Sequence, residues 1–189
     1  MKISHFPFML FLLLFFSSAV LAKDVNLPTP PKGYKWAKCP EIKGAFLRPH
    51  GWHFKKSKQG STLGFFITKE NISKNGQFMT GLTVNVIPDI PKKQSMSPYE
   101  YARVYRETTR KSEKITQEWN KDMGPFRSVG FVFDKKDKAG DFRVHNLLIA
   151  NDNTGTLYLV MFEAPISEWN KAWKIAEPML QYLLIDDTV

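Results

Sequence analysis

The stretch FRVHNLLIANDNTGTLYLVMFE, residues 142–163, decides the fold. Two apolar runs, Phe142 to Ala150 and Thr156 to Glu163, flank Asn151-Asp152-Asn153-Thr154-Gly155, whose Asn, Asp and Gly have the chemistry of a hairpin turn. Leu147-Leu148-Ile149 and Leu157 to Phe162 are apolar at successive positions, so both pleats of each strand meet apolar surroundings. An antiparallel sheet covered on both faces is implied. A third strand, Val129 to Phe133, comes before them across a turn at Lys135 to Asp141, which gives a three-strand meander.

The covering elements lie on either side of this stretch. Ser97-Pro98-Tyr99-Glu100 supplies a cap hydroxyl, a proline at the first helical position and a glutamate at the third, a capping box that starts a helix running to about Lys114. At 100° per residue Tyr101, Val104, Tyr105, Thr108, Ser112 and Ile115 share its packing side, and Arg103, Arg106, Glu107, Arg110, Lys111 and Lys114 form a basic solvent side. A second helix starts at Ser167 and runs toward Leu184, with Trp169, Ala172, Trp173, Ala176, Met179, Leu180 and Leu183 as its stripe and Pro178 roughly opposite. Upstream, Ala45 to Arg48, Trp52 to Lys55, Leu63 to Thr68 and Met79 to Ile87 read as strands with short turns between them. Trp52 and Phe54 fall on one face.

The chain has 189 residues, 43% of them apolar and 24% charged, which excludes intrinsic disorder, and its one cysteine excludes a disulfide-stapled scaffold. The length suits one domain behind a leader. Lys2 followed by an unbroken Phe, Met and Leu run from Phe8 to Phe16 and small residues up to Ala22 form a secretory signal peptide, residues 1–22. That run is short of the roughly 20 residues a spanning helix needs, so the mature chain is expected to carry no transmembrane segment and to be exported, periplasmic or extracellular. Residues 23–33, including Pro28, Pro30 and Pro31, read as a proline-rich tether, and residues 34–189 as the domain. In an oxidising compartment Cys39 is either a buried small hydrophobe or a free thiol able to join two chains. The sequon Asn71-Ile72-Ser73 matters only in a eukaryotic secretory route.

Two stretches bear a family resemblance: Phe46-Leu47-Arg48-Pro49-His50-Gly51-Trp52, and Leu157 to Pro165 followed by the helix that carries Trp169. On these the chain from Ala45 to Ile185 resembles the PsbP-like superfamily, which includes a lumenal accessory subunit of photosystem II, Mog-type Ran-binding proteins and small exported bacterial proteins. The resemblance implies an α+β domain, an antiparallel sheet flanked by helices on both faces as an α/β/α sandwich, and a non-enzymatic accessory or adaptor role. Both stretches are structural, so no functional residue carries over. The photosystem subunit's thylakoid transit segment and long N-terminal extension are not matched, and photosynthesis does not carry over either.

Catalytic signatures are missing: there is no Gly-x-Ser-x-Gly, no Walker motif and no dinucleotide-binding glycine pattern. The best chemical constellation is Cys39, His50 and His53 with His145, because thiolate and imidazole are the ligands zinc prefers. Its spacing argues against a metal, since His50 and His53 flank a Gly-Trp turn. An alternative reading is still a secreted hydrolase or metal-dependent enzyme using His50 and His53, and another is an oligomeric structural envelope protein. No catalytic residue, metal or cofactor is expected, and His145 reads as a hydrogen-bonded sheet residue.

Charge is the stronger functional signal. The chain holds 27 Lys and Arg against 18 Asp and Glu, a net of +9, unevenly placed. Residues 32–58 carry eight basic groups against Glu41, whereas residues 144–189 carry two against six acids. One end should therefore attract anionic partners. The expected contact residues are Lys35, Lys38, Lys43, Arg48, Trp52, Lys55, Lys56 and Lys58. The expected partner is a protein or an anionic envelope component (lipid, lipopolysaccharide or glycan); export argues against nucleic acid.

Overall fold

The computed structural model describes residues 27–74 and 76–189. The expected leader, its cleavage site at Ala22 and the first residues of the tether lie outside the described residues. From Leu27 the proline-rich segment has neither helix nor strand, yet its end is anchored: the Trp36 indole donates to the Pro28 carbonyl at 2.6 Å and the Tyr34 amide to that of Pro31 at 3.0 Å.

Strands β1 (Tyr34–Cys39) and β2 (Gly44–Pro49) form a two-stranded antiparallel sheet. The chain continues through β3 (His53–Gln59), β4 (Thr62–Thr68), β5 (Gly81–Ile87), the short α1 (Ile90–Gln94), α2 (Pro98–Ser112), β6 (Ile115–Met123), β7 (Phe126–Asp137), β8 (Gly140–Asn151), β9 (Thr156–Pro165) and α3 (Trp169–Gln181). The large sheet has seven strands in the order β3-β4-β5-β9-β8-β7-β6, every neighbouring pair antiparallel. It is one α+β domain in which two meanders join where β5 pairs with β9. Because β5 ends inside the sheet and β6 starts at its far edge, the chain between them must cross β9, β8 and β7. Helix α2 makes that crossing.

Alternate residues of the shared strands serve two apolar clusters. Tyr158, Val160, Phe162 and Ile149 pack with Phe46 and Leu47 of β2, Phe65 and Ile67 of β4, and Ala172, Ala176 and Met179 of α3. Leu157, Leu148 and Ala150 pack with Val129, Phe131 and Ala102 of α2. Phe46, Phe65, Tyr158 and Phe162 are each at most 1% exposed, which at about 1.5–3 kcal/mol for each buried side chain keeps the small β1–β2 sheet seated on the large one.

Four expectations are corrected. The meander has four strands, because β6 extends it; only Ile115, Trp119 and Met123 of β6 are half-buried, so no apolar alternation marks it as a strand. Helix α2 stops at Ser112, and Ile115, expected on its packing side, opens β6. The packing side of α2 is also rotated: Ala102 is fully buried, Val104 is 50% exposed, and the Arg106 side chain is only 12% exposed. A small residue at the centre lets the helix approach the sheet, and the Arg106 stem covers apolar surface while its head reaches Asn120 at 3.1 Å and Glu107 at 3.2 Å. At the other terminus α3 begins at Trp169 after a 3₁₀ turn at Ile166–Glu168, and Leu184 has left the helix to pair with Ala45 through two backbone bonds of 3.0 and 3.1 Å. The capping box at Ser97 forms as expected, Ser97 N to Glu100 Oε2 at 2.8 Å and Glu100 N to Ser97 Oγ at 3.2 Å.

Candidate functional site

The predicted basic residues divide between the β1–β2 sheet and strand β3, which is one edge of the large sheet. On β3, Lys55, Lys56 and Lys58 are exposed, and among the described residues Lys55 and Lys58 make no side-chain hydrogen bond or ion pair. Lys56 is held: its Nζ reaches both oxygens of Glu41 at 2.9 and 3.0 Å and stands 5.9 Å from the ring centres of Phe54 and Phe65. That hydrogen bond keeps the Glu41 carboxyl below its usual range. Beside the pair opens a cavity of about 540 Å³ whose wall includes Glu41, Lys56, Lys58, Leu63 and Phe65.

The remaining predicted residues do not line this hollow and are in different states. Lys35 and Lys38 are exposed on β1; Lys43, in the turn, donates to Thr188 Oγ1 at 2.9 Å. Arg48, opposite Lys35 in the pairing, is half-buried, and its Nε has no hydrogen-bond partner among the described residues. Trp52 is half-buried and packs against the larger apolar cluster, so it serves the core rather than standing free.

The His and Cys constellation does not assemble. Cys39 ends β1 and is fully buried, its Sγ 3.6 Å from the Ala37 carbonyl, and burial pushes its thiol up to about 12. It is a small apolar side chain, and the alternative of a thiol linking two chains is corrected on that ground. His50 is in an exposed turn, His53 opens β3, and His145 lies in β8. Among the described residues no three His, Cys, Asp or Glu side chains gather as a metal-binding group.

A second surface, missed in the sequence, lies toward the opposite edge. Along β8 the residues Arg143, His145 and Leu147 share one side, and their partners on β7 are Asp134, Val132 and Gly130. Gly130 in turn faces Trp119 of β6, and a Cβ there would overlap the indole, so this glycine is what lets the ring lie across β7. The His145 ring sits between two indoles, its centre 5.1 Å from that of Trp119 and 4.9 Å from that of Trp173. Trp173 stacks on Trp169 at 5.3 Å. Contrary to expectation, His145 Nδ1 is buried without a hydrogen-bond partner among the described residues, and burial lowers the imidazole to about 4. It is therefore neutral at pH 7.

Two neighbouring cavities follow this aromatic row. One of about 350 Å³ has Thr116, Gln117, Arg143, His145, Trp169 and Trp173 on its wall. The next, about 450 Å³, shares His145 and Trp173 with it and continues past Trp119 and Lys121 to Glu177 and Gln181. Arg143 at one end is engaged by Asp134 through bonds of 2.7 and 2.9 Å. The row was hidden in the sequence because its rings come from β6, β8 and α3; the only local signal was Trp119, a lone indole on a polar segment.

No protein-family model matches the chain, and no curated protein matches it by sequence. Solved structures do match. Cyanobacterial PsbP from Synechocystis superposes with a TM-score of 0.51 at 11% identity, covering 88% of this chain and 99% of that one. The Ran-binding protein Mog1p of Saccharomyces cerevisiae gives a TM-score of 0.50 at 11% identity over 82% of this chain and 96% of its own. The resemblance to PsbP-like proteins holds at the level of the fold. No helix among the described residues is long and apolar enough to cross a membrane.

Proposed function

We propose that this chain is an exported, non-catalytic binding or accessory protein that recognises an anionic partner through its basic β3 edge. The observation that carries the reading is the run Lys55-Lys56-Ser57-Lys58 on a sheet edge: Lys56 and Lys58 line a hollow that also offers the Phe65 ring, and Lys55 and Lys58 are unengaged among the described residues. Lys35, Lys38, Lys43 and Arg48 extend the positive field around it. A protein partner is in keeping with the Ran-binding neighbour, and an anionic lipid, lipopolysaccharide or glycan would use the same charges. Export rests on the leader: cleavage after Ala22 would release residues 23–33 as a tether and 34–189 as the domain. In that domain α2 and α3 would cover opposite faces of the large sheet, an α/β/α sandwich, since the two helices pack against alternate residues of β8 and β9.

The test compares the domain with its Lys55→Glu, Lys56→Glu, Lys58→Glu variant on vesicles containing phosphatidylglycerol and on an immobilised sulfated polysaccharide. Retention at low salt, release at about 0.5 M salt and loss in the variant support the reading, because exposed charges beyond a Debye length of roughly 10 Å at 0.1 M are screened. Retention that the charge reversal leaves unchanged overturns it. For export, amino-terminal sequencing of the secreted full chain should begin at Lys23.

A further inference from the structure

The groove between α3 and strands β6 to β8 requires its own account. Trp119 belongs to neither apolar cluster among the described residues, yet it is a half-buried indole on a strand whose other central side chains, Gln117, Glu118, Asn120 and Lys121, are polar and exposed. A ring that were only surface packing would need no Gly130 beneath it. Here the glycine gives up all side-chain packing on an inner strand so that the indole can lie flat next to His145. The result is a continuous row, Trp119, His145, Trp173 and Trp169, with neighbouring centres 4.9–5.3 Å apart, bordering two neighbouring cavities of about 350 and 450 Å³ that share His145 and Trp173 on their walls. Each falls within the roughly 300–1,000 Å³ typical of ligand pockets, and together they make an elongated site.

The polar groups of that site narrow the ligand's chemistry. Its charges are few and of both signs: Arg143 is satisfied by Asp134, and farther along Lys121 and Glu177 stand on one wall without forming an ion pair among the described residues. A cationic ligand would find no unengaged carboxylate beside the rings at the Arg143 end, and an anionic one would have to compete with Asp134 for Arg143. What remains for hydrogen bonding is uncharged: the Gln117 amide, the Gln181 amide and, as an acceptor only, the Thr116 hydroxyl, whose proton goes to the Val132 carbonyl at 3.2 Å. Flat apolar faces flanked by neutral donors and acceptors fit a molecule that has apolar faces and a rim of hydroxyls. A purely apolar ligand would leave those amides facing it unsatisfied.

We propose that this groove binds an uncharged sugar chain of at least two rings, stacked on Trp173 and Trp119 and hydrogen-bonded by Gln117 and Gln181. The site lies toward the edge opposite β3, so the inference stands apart from the anionic partner.

The experiment titrates the purified protein with three neutral hexasaccharides, cellohexaose, hexa-N-acetylchitohexaose and maltohexaose, and with 1-naphthol as an apolar control, by calorimetry and tryptophan fluorescence. Saturable binding of at least one hexasaccharide, unchanged between 0.05 and about 0.5 M salt and in the Lys55→Glu, Lys56→Glu, Lys58→Glu variant, is expected. Trp119→Ala should weaken it about tenfold and Gln117→Ala measurably, while Trp36→Ala leaves it intact. Gln117 is exposed, so its variant decides the matter should Trp119→Ala fold poorly by circular dichroism. No binding of any hexasaccharide at millimolar concentration, binding of 1-naphthol alone, or binding indifferent to both groove substitutions overturns the proposal.

Discussion

The two edge strands of the large sheet, β3 and β6, expose the same kind of unpaired backbone and differ in nearly everything else. Behind β3 the face is closed. Phe54 stacks on Phe65 at 6.4 Å, Phe65 meets Phe46 of the β1–β2 sheet at 5.7 Å, and the lysines outside discourage another strand from adding. Behind β6 the face stays open at the centre of the strand, and its one aromatic side chain, Trp119, lines a groove. An edge can thus be protected by charge over a packed core or can border a site, and the two designs put stability and recognition in different places: near β3 recognition would rest on charges outside the core, near β6 on the rings themselves.

The largest expected effect tests that division. Phe65→Ala removes a side chain 1% exposed in the middle of the aromatic stack and should cost about 3–5 kcal/mol. Trp119→Ala, although the larger truncation, should cost only about 1 kcal/mol, because its ring packs in neither cluster. Urea denaturation of both variants gives the comparison, and equal losses would show that Trp119 is a core residue and the open edge is not open.

The same contrast explains what could be read from the sequence. The closed side was legible wherever one segment carries its own signal, as in Trp52 and Phe54 on a common face and the lysine run, and the capping box at Ser97 marked α2 in the same way. Strands β7 to β9 were legible because buried strands are apolar on both pleats. Strand β6 was not, since an edge strand solvated on most sides has no alternation to show, and Ile115 was absorbed into the preceding helix. The rotation of α2 was misread for a related reason: Val104 outweighs Ala102 in any hydrophobic count, but only the small residue fits against the sheet. The groove escaped because it joins Trp119, Gly130, His145 and Trp173 across four elements, and the glycine's role exists only in the register that sets it under the indole.

A second effect belongs to the open side alone. His145 is held near 4 by burial, below the roughly 6.5 of an unfolded chain, so the folded state binds fewer protons and stability is complete above about pH 6.5 and lost as pH falls toward 4. At pH 5 the loss from this one group is about 2 kcal/mol. Of the charged groups along the groove Arg143 is paired with Asp134, and Lys121 and Glu177 carry opposite charges on one wall, so burial sets that direction. Urea midpoints at pH 7 and pH 5 should therefore separate for the parent chain and draw together in His145→Asn. A separation that persists in the variant assigns the acid sensitivity to other groups, and with it the claim that the imidazole is buried neutral fails.

The smallest effects divide the lysines of the closed edge among themselves. Lys55 and Lys58 are exposed and, among the described residues, unengaged, so Lys55→Ala and Lys58→Ala should move stability by no more than about 0.5 kcal/mol. Lys56 has a half-exposed ion pair with Glu41 and two ring faces at 5.9 Å, and after solvent screening these are worth about 1 kcal/mol together. Thermal melts should order the three variants accordingly, with Lys56→Ala lowest. Binding should order them differently, because a cation already committed to Glu41 has less to offer an incoming anion than one facing water. If Lys55→Ala and Lys58→Ala weaken retention on the anionic matrix more than Lys56→Ala while melting higher, recognition and stability are carried by different lysines of one strand. Should the melting order and the retention order coincide, the lysines of β3 act only as a shield on the sheet edge.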